Sequence, residues 1–233
     1  MRYILNKIGA TARKRYDYDL LEKTYLELLK SDVDDTSVMR DIASTIGNKK
    51  VLVIVPGSTA TTELPAIEQY IKDNNPIVIT VNFLHDSIES DFIYMSNVKR
   101  YRYWRNNERF ISANKILTSN ISAPEDEKNK VVSFVSLIKC GWEHLDNSTI
   151  MLLRLLDNIG VSSIAIAGFD GYDVSSDGKQ NYASKYLELS SMGTECVSMN
   201  QEIKEMLEDY NVTRVNKNTE IKFITPSRFE ACF

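Results

Sequence analysis

The sequence predicts an α/β fold: a Rossmann-like, doubly wound and mostly parallel sheet that follows an N-terminal helical extension. Short β-branched runs recur from residue 50 onwards, and their nearly continuous apolar character is typical of strands buried on both faces. Helical stretches separate these runs, as right-handed crossovers between parallel strands require. We therefore predict a helical extension over residues 1–47 and the α/β domain over residues 48–233.

Each element is justified by its spacing of apolar residues. An amphipathic helix is predicted over 17–30, and a second over 36–46 begins with Thr36 as N-cap and ends at Gly47. The predicted strands are 51–55, 77–81, 91–95, 115–119, 131–135, 162–168 and 221–225. The helices predicted between them are 61–74, 97–108, 147–159 and 197–209.

Composition excludes several classes of protein. The chain has 233 residues and a formal net charge of −4, which argues against general binding of nucleic acid. No apolar run is long enough to span a bilayer, and the first residues lack the apolar core of a secretory signal. The three cysteines lie far apart with no CxxC, so we expect neither a disulfide framework nor a structural zinc site. These features predict a cytoplasmic protein, and they name no cofactor.

Small hydroxyl, amide and glycine residues follow the predicted strands. Because ligands of open α/β sheets bind beyond the carboxyl ends of the strands, these residues are candidates for one binding site. The predicted ligand-binding residues are Gly57, Ser58, Thr59, Asn82, Ser96, Asn97, Ser119, Asn120, Asn147, Ser148, Gly168, Asp170 and Tyr172. The alternative is that they cap the helices that begin at the same places.

The loop 56-PGSTATTE-63 raises the question of whether it holds a phosphate or only turns the chain. It has one glycine, so it matches neither GxGxxG nor the P-loop pattern. A helix N-terminus that follows Gly57 would still offer N–H groups to an anion. No lysine is placed to reach a terminal phosphate, so hydrolysis of a nucleoside triphosphate is not expected.

The catalytic candidates are few. His85 follows a predicted strand and has the chemistry of a general base. Asp170 lies in 167-AGFDGY-172. Its carboxylate would suit a ribose or sugar hydroxyl or a metal, and the alternative is a turn that Gly171 completes. The segment 99-KRYRYWR-105 either offers cations to an anionic ligand or packs its aromatic rings inward with its arginines in solvent.

The series VLVIVPGSTA, PIVITVNF, SDFIYMSNVKRY, KILTSN, AGFDGY and KFITPSRFE resembles a known domain. This is the Rossmann-like C-terminal domain of bacterial 4-hydroxy-2-oxovalerate aldolase-like (HMG-CoA-lyase-like) proteins, and the resemblance runs from about residue 32 to the end. The aldolase barrel with its metal-binding HxH motif is absent from this sequence. The resemblance therefore implies either a domain of a longer aldolase-like chain or a stand-alone relative, and it predicts no aldol cleavage by this chain alone.

The same order of elements is more distantly similar to bacterial sialyltransferases that use CMP-sialic acid, and to 6-hydroxymethylpterin pyrophosphokinase-like proteins. In the sialyltransferases, matching positions surround the nucleotide; here they are Gly57 with Ser58, Asn82, Asn147 with Ser148, and Asp170 with Tyr172. The loop lacks the asparagine and second glycine of their GNGPS, and no histidine follows Tyr172. This similarity implies nucleotide or nucleotide-sugar binding more than sialyl transfer.

The sequence predicts two alternative functions. The first is a nucleotide- or nucleotide-sugar-binding, transferase-like domain that serves surface polysaccharide synthesis. The second is a non-catalytic domain that docks to an aldolase partner or forms a homo-oligomer. A phosphotransferase ranks below both, because only Asp170 and Asp173 are available to bind the metal it needs.

Overall fold

The computed structural model of the protein describes residues 23, 26–27, 29–30, 32–140, 142, 146–173, 182–183 and 195–233. Within them, all strands of one seven-stranded sheet are parallel. The strands are β1 Val51–Ile54, β2 Ile77–Val81, β3 Phe92–Met95, β4 Lys115–Thr118, β5 Asn129–Val132, β6 Ser163–Ala167 and β7 Glu220–Phe223. The helices are α1 Thr36–Ile46, α2 Thr59–Thr62, α3 Leu64–Asn74, α4 Val98–Trp104, α5 Glu108–Ser112, α6 Phe134–Leu137, α7 Ser148–Asn158 and α8 Glu195–Thr213, with a final 3₁₀ turn at Glu230–Cys232. The predicted α/β, Rossmann-like fold is confirmed.

The strand order is β5-β4-β3-β2-β1-β6-β7. The chain moves outward from β1 to β5, then returns to the other side of β1 to add β6 and β7. This reversal is the mark of a doubly wound sheet, and it falls between β1 and β6. The loops that follow β1 and β6 therefore run in opposite directions.

Helices cover both faces of the sheet, because successive strand residues point to opposite sides. In β1, Val51 and Val53 pack on the face that α1, α6, α7 and α8 cover. Leu52 and Ile54 pack on the opposite face, under α2, α3, α4 and α5. The apolar runs seen in the sequence are thus buried from both sides. None of the helices in the described part of the chain is long and apolar enough to cross a membrane.

Helix α1 is joined to the sheet domain. Its Ile42 and Ile46 are buried in the core beside the strands. The prediction that Thr36 caps this helix is wrong: Asp35 occupies the N-cap position, and its carboxylate accepts a hydrogen bond from the Ser133 N–H at 2.7 Å. The predicted helix over 17–30 lies mostly outside the described residues. The domain boundary after residue 47 stays a prediction.

Strand β5 begins and ends earlier than the predicted strand over 131–135. Ser133 is the N-cap of α6, and its hydroxyl accepts from the Ser136 N–H at 3.0 Å. Phe134 and Val135 are therefore buried in a helix instead of a strand. An apolar run of this length fits either a strand or a helix, so the sequence alone could not distinguish the two.

Two predicted helices are each divided in two. Pro65 stands in the first turn of α3, where its missing N–H costs nothing, and this places a break at Glu63. Asn107 caps α5 by accepting from the Phe110 N–H at 3.2 Å, so the helix predicted over 97–108 ends at Trp104.

Candidate ligand-binding cleft

The loops that follow β1 and β6 open a cleft at the carboxyl edge of the sheet, where the strand order reverses. It has a volume of about 230 Å³. Sequence-predicted residues that line it are Gly57, Asn82, Asn97, Asn147, Ser148, Gly168, Asp170 and Tyr172. Ser96 and Asn120 line an adjoining hollow instead, whereas Ser58, Thr59 and Ser119 line neither. The strand-end rule thus brings most of the predicted set to one place.

The floor of the cleft is a close contact between the ends of β1 and β6. The Gly57 N–H donates to the Gly168 carbonyl oxygen at 2.9 Å. A Cβ atom on Gly57 would lie 2.6 Å from the Asp170 Cγ, and one on Gly168 would overlap the Val55 carbonyl oxygen. Gly168 also has a φ of +72°, which side chains rarely adopt. These two glycines serve the contact between strand ends, so the loop after β1 is a tight corner.

Asp170 holds that corner in place. Its carboxylate accepts a hydrogen bond from the Thr59 N–H at 2.9 Å and from the hydroxyl of Ser58 at 3.1 Å, and it also accepts from the Thr59 hydroxyl. The Thr59 hydroxyl is also bonded to the Thr225 hydroxyl at 2.9 Å. Asp170 is buried, and its bonds to Ser58 and Thr59 let its carboxylate position the loop after β1.

Asn82 connects the ends of β2 and β3. Its Oδ1 accepts from the Ser96 N–H at 3.0 Å and from the Asn97 N–H at 3.2 Å. Its φ of +60° lies in the left-handed region, which asparagine tolerates better than most residues. The side chain is 8% exposed and borders the cleft. Asn82 therefore fixes the rim where α4 begins.

Two further asparagines cap the helices that start at the cleft. Asn97 Oδ1 accepts from the Arg100 N–H at 3.1 Å, and Asn147 Oδ1 accepts from the Thr149 N–H at 2.9 Å. The amide oxygens of both residues therefore cap helices, which is the alternative role considered from the sequence. A hydrogen bond of 2.7 Å between the hydroxyls of Ser96 and Ser148 ties the starts of the two helices together.

Cations and aromatic rings complete the lining. Lys99 and Arg100 come from α4, and the Arg100 guanidinium lies 5.9 Å from the centroid of the Tyr182 ring. Tyr172 and Tyr182 meet edge to face with ring centroids 6.3 Å apart. Burial raises the pKa of the Tyr172 hydroxyl well above its usual range, and Tyr182 beside it adds to the shift. Burial likewise raises the pKa of Tyr182, while the Arg100 charge opposes the rise.

His85 lies outside the cleft lining. Its Nδ1 accepts from the N–H groups of Ser87 and Ile88, both at 3.1 Å, so the proton is on Nε2, which donates to the Ala60 carbonyl oxygen at 2.9 Å. The ring is buried. Both nitrogens hold the turn after β2, which is a structural role. The catalytic role considered from the sequence stays a prediction.

Ser119 and Asn120 act on the neighbouring strand ends. The Ser119 hydroxyl accepts from the Phe134 N–H at 3.0 Å. The Asn120 Nδ2 donates to the Ser96 carbonyl oxygen at 3.2 Å. Both side chains join elements of the sheet edge, as turn residues commonly do.

Tyr182 was missed by the sequence reasoning, and Lys99 and Arg100 were considered only as part of a basic segment. Their position directly after Asn97 was the available signal, because the first turn of a helix after a strand faces the crevice. Tyr182 carries no such signal: it reaches the cleft through a single bridge to Gly57, far away in sequence.

Stability should fall as the pH rises above about 10, because unfolding then exposes tyrosines that ionise only in the unfolded chain. The raised pKa of Tyr172 means that its contribution is fully present below about pH 10 and is lost as the pH climbs towards the folded value. In Tyr172→Phe, the unfolding free energy should fall less steeply with pH, by up to about 1.4 kcal/mol per pH unit. Urea unfolding at several pH values from about 9 to 11.5 measures the slope.

The exposed Tyr103 supplies the control for this titration, since its side chain is 57% accessible. Tyr103→Phe should leave the alkaline slope as in the parent protein. Equal slopes for Tyr172→Phe and the parent would contradict the prediction.

No protein-family model matches the chain, and no curated protein sequence matches it. The fold and the cleft define it as a Rossmann-like α/β protein with a cleft at the topological switch point of its sheet. Within the described residues, no group of three histidine, cysteine, aspartate or glutamate side chains is placed to hold a metal ion.

Proposed function

We propose that this protein binds a nucleotide or a nucleotide-sugar in the cleft between β1 and β6, as a transferase-like domain. The observation that carries the proposal is the convergence of hydrogen-bond donors from separate strand ends on the point where the sheet order reverses. A nucleotide-sugar has three parts: anionic phosphates, a flat base and a polyhydroxylated ring. The cleft offers cations and amides for the phosphates, tyrosine rings for the base, and hydroxyls for the sugar ring.

The amide groups give the clearest support for a phosphate. Asn82, Asn97 and Asn147 each use Oδ1 as an acceptor for backbone N–H groups, which fixes Nδ2 on the other side of the side chain. Within the described chain, no residue accepts from these three Nδ2 groups, whereas Asn120 donates its Nδ2 to the Ser96 carbonyl oxygen. Asn82 is buried, Asn147 half-buried and Asn97 exposed, and none of their Nδ2 groups is closed off from solvent. A ligand oxygen can therefore take the place of water as their acceptor.

The electrostatics agree with an anionic ligand. Lys99 and Arg100 place two positive charges in the lining, and the N-terminus of α7 directs the positive end of an eleven-residue helix towards the same space. The carboxylate of Asp170, also in the lining, is bonded to Ser58 and Thr59. Fixed donors of this kind are what a transferase uses to stabilise charge on a leaving phosphate.

Asn97→Asp is the sharpest test, because aspartate caps a helix as well as asparagine while it replaces the donor with a negative charge. We expect the variant to keep its melting temperature and to bind the nucleotide that the parent prefers about 30-fold more weakly, since a hydrogen bond to a charged group contributes roughly 1.5–3 kcal/mol. Calorimetric titration of the parent with CMP, UDP, GDP and their sugars identifies the preferred base first.

The matched control is Asn107→Asp. Asn107 caps α5 with the same Oδ1 geometry but lies outside the cleft lining. It should leave ligand affinity unchanged. An absence of heat from every nucleotide at millimolar concentration would exclude the proposed function, and equal losses in both variants would exclude the role of the amide.

A further inference from the structure

Strand β7 forms one edge of the sheet, and its outward backbone groups lie open. The N–H groups of Glu220 and Ile224 both donate towards β6, at 2.9 and 2.8 Å. Because neighbouring residues of a strand direct their peptide groups to opposite sides, Ile221 and Phe223 direct theirs away from β6. Within the described part of the chain, neither of these two N–H groups has an acceptor. The edge is therefore a row of donors and acceptors to which another strand can pair.

The opposite edge of the sheet, at β5, is closed by the chain itself. There the N–H groups that face away from β4 belong to Asn129 and Ser133. The Asn129 N–H donates to the Asp126 carbonyl oxygen at 2.9 Å, and the Ser133 N–H donates to the Asp35 carboxylate at 2.7 Å. The two edges thus differ, since one is satisfied within the chain and the other is available to a partner.

The charges of β7 select the kind of strand that fits this edge. Glu220 and Lys222 are both exposed and lie two residues apart, so their side chains share one face of the sheet. The Lys222 Nζ lies 5.1 Å from the centroid of the Tyr70 ring, which places this face under α3. A lysine on an edge strand ordinarily discourages pairing. An acidic residue directly opposite the lysine would reverse this effect, because opposite charges on facing strands attract.

A second copy of the chain supplies that acidic residue. Two identical edges related by a two-fold axis pair antiparallel. An axis beside Ile221 places each Ile221 opposite its counterpart, where the two residues exchange both N–H···O bonds. The same register sets Glu220 of each copy opposite Lys222 of the other, with about 4.5–5.5 Å between their Cβ atoms. An axis beside Lys222 would instead bring two lysines together.

Apolar side chains extend the edge on the face opposite the charges. Val215, in the loop before β7, is 79% exposed, and Phe233, after the final 3₁₀ turn, is 38% exposed. The Phe233 ring centroid lies 5.9 Å from that of Phe223, which packs with Ile221 against the core on the α8 face. Removal of such surface from water in a paired assembly favours association.

We propose that two copies of this protein associate by antiparallel pairing of their β7 strands, with Ile221 at the two-fold axis, so that one sheet continues through both copies. Glu220 and Lys222 set the register and select a second copy as the partner. None of these three residues lines the cleft, so the association can be tested separately from the proposed function.

Sedimentation equilibrium from micromolar to submillimolar concentration tests the association. We expect the mass of the parent to approach twice the 26.6 kDa of one chain as the concentration rises. Glu220→Lys and Lys222→Glu each set like charges opposite one another, and each should raise the dissociation constant at least about tenfold. An equimolar mixture of the two variants should associate as the parent does, because every charge pair across the mixed interface again has opposite signs.

Glu127→Lys is the matched control, because Glu127 is exposed beside β5 and its replacement makes the same change of charge at the other edge. It should associate like the parent. Hydrogen exchange at the Ile221 N–H should slow as the parent associates, because the pairing gives this group an acceptor. A parent that keeps the mass of one chain at every concentration would overturn the inference. Single variants that associate as tightly as the parent, or a mixture that remains dissociated, would overturn it as well.

Discussion

Replacement of Asp146 by alanine should lower the free energy of unfolding by about 3–5 kcal/mol, the loss typical of breaking a buried ion pair from one side. The Asp146 side chain is 0% exposed and the Arg154 side chain is 9% exposed. Without its partner, the guanidinium would keep a full charge inside the protein. Among the described residues, the Leu137 carbonyl oxygen, at 2.8 Å, would then be the one remaining acceptor. The uncompensated charge, more than the lost attraction, causes the effect.

Asp146 also organises the entry to α7. Its carboxylate accepts from the Lys139 N–H at 2.7 Å and from the Asn147 N–H at 2.8 Å. The alanine variant would therefore release the backbone next to a residue that lines the cleft, and ligand affinity should fall together with stability. Equilibrium unfolding in urea and nucleotide titration of the same preparation measure both effects.

Asp41→Ala is the control for this prediction. Asp41 pairs with Lys130 at the surface, and its side chain is 57% exposed. Exposed pairs contribute about 0–1 kcal/mol, so the control should remain close to the parent. A double variant, Asp146→Leu with Arg154→Met, should recover much of the stability because it leaves no buried charge. Equal losses in Asp41→Ala and Asp146→Ala would contradict the account given for the buried pair.

Gly168→Ala should destabilise the protein by at least about 3 kcal/mol, the sum of left-handed backbone strain and overpacking. The new Cβ would overlap the Val55 carbonyl oxygen and lie 2.9 Å from the Ala60 Cβ. Val55 directly follows β1 and Ala60 lies in α2, so relief of the overlap requires the ends of β1 and β6 to separate. That separation would also open the floor of the cleft and weaken nucleotide binding.

Gly160→Ala isolates the steric part of this effect. Gly160 has a φ of +80°, close to the +72° of Gly168, but a Cβ on it would meet nothing within 4 Å. The control should therefore lose only the backbone term of about 1–2 kcal/mol. Thermal and urea unfolding of both variants measure the difference. Equal losses of unfolding free energy in the two variants would show that the close approach of the strand ends does not contribute to the effect of Gly168→Ala.

The fold was predictable from the sequence because burial on both faces leaves long apolar runs, and helices of ordinary spacing separate them. The errors fall where local signals compete. Phe134 and Val135 are apolar in either a strand or a helix, and the cap at Ser133 decided for the helix. Thr36 and Asp35 are both good capping residues, and the structure places Asp35 at the N-cap, where its carboxylate binds the Ser133 N–H instead of the helix.

The candidate cleft could be located in part, because the rule that ligands lie beyond strand ends requires only the strand positions. It brought Gly57, Asn82, Asn147 and Asp170 together. The rule could not assign roles: Asp170 braces the loop after β1, and this depends on a contact with Thr59 that is remote in sequence. The resemblance to aldolase-associated domains, the accessory role and the oligomeric state stay predictions.

The position of β1 at the reversal of the sheet sets an order of assembly. Each strand from β1 to β5 pairs with the strand that precedes or follows it in the chain, whereas Val51 must also pair with Ile164. During synthesis the second edge of β1 therefore waits, with its peptide groups unpaired, until β6 has left the ribosome. Closing that long loop carries an entropic cost that the earlier pairings avoid. The crevice between β1 and β6 therefore forms late in synthesis, and β7 is the strand that remains to be added.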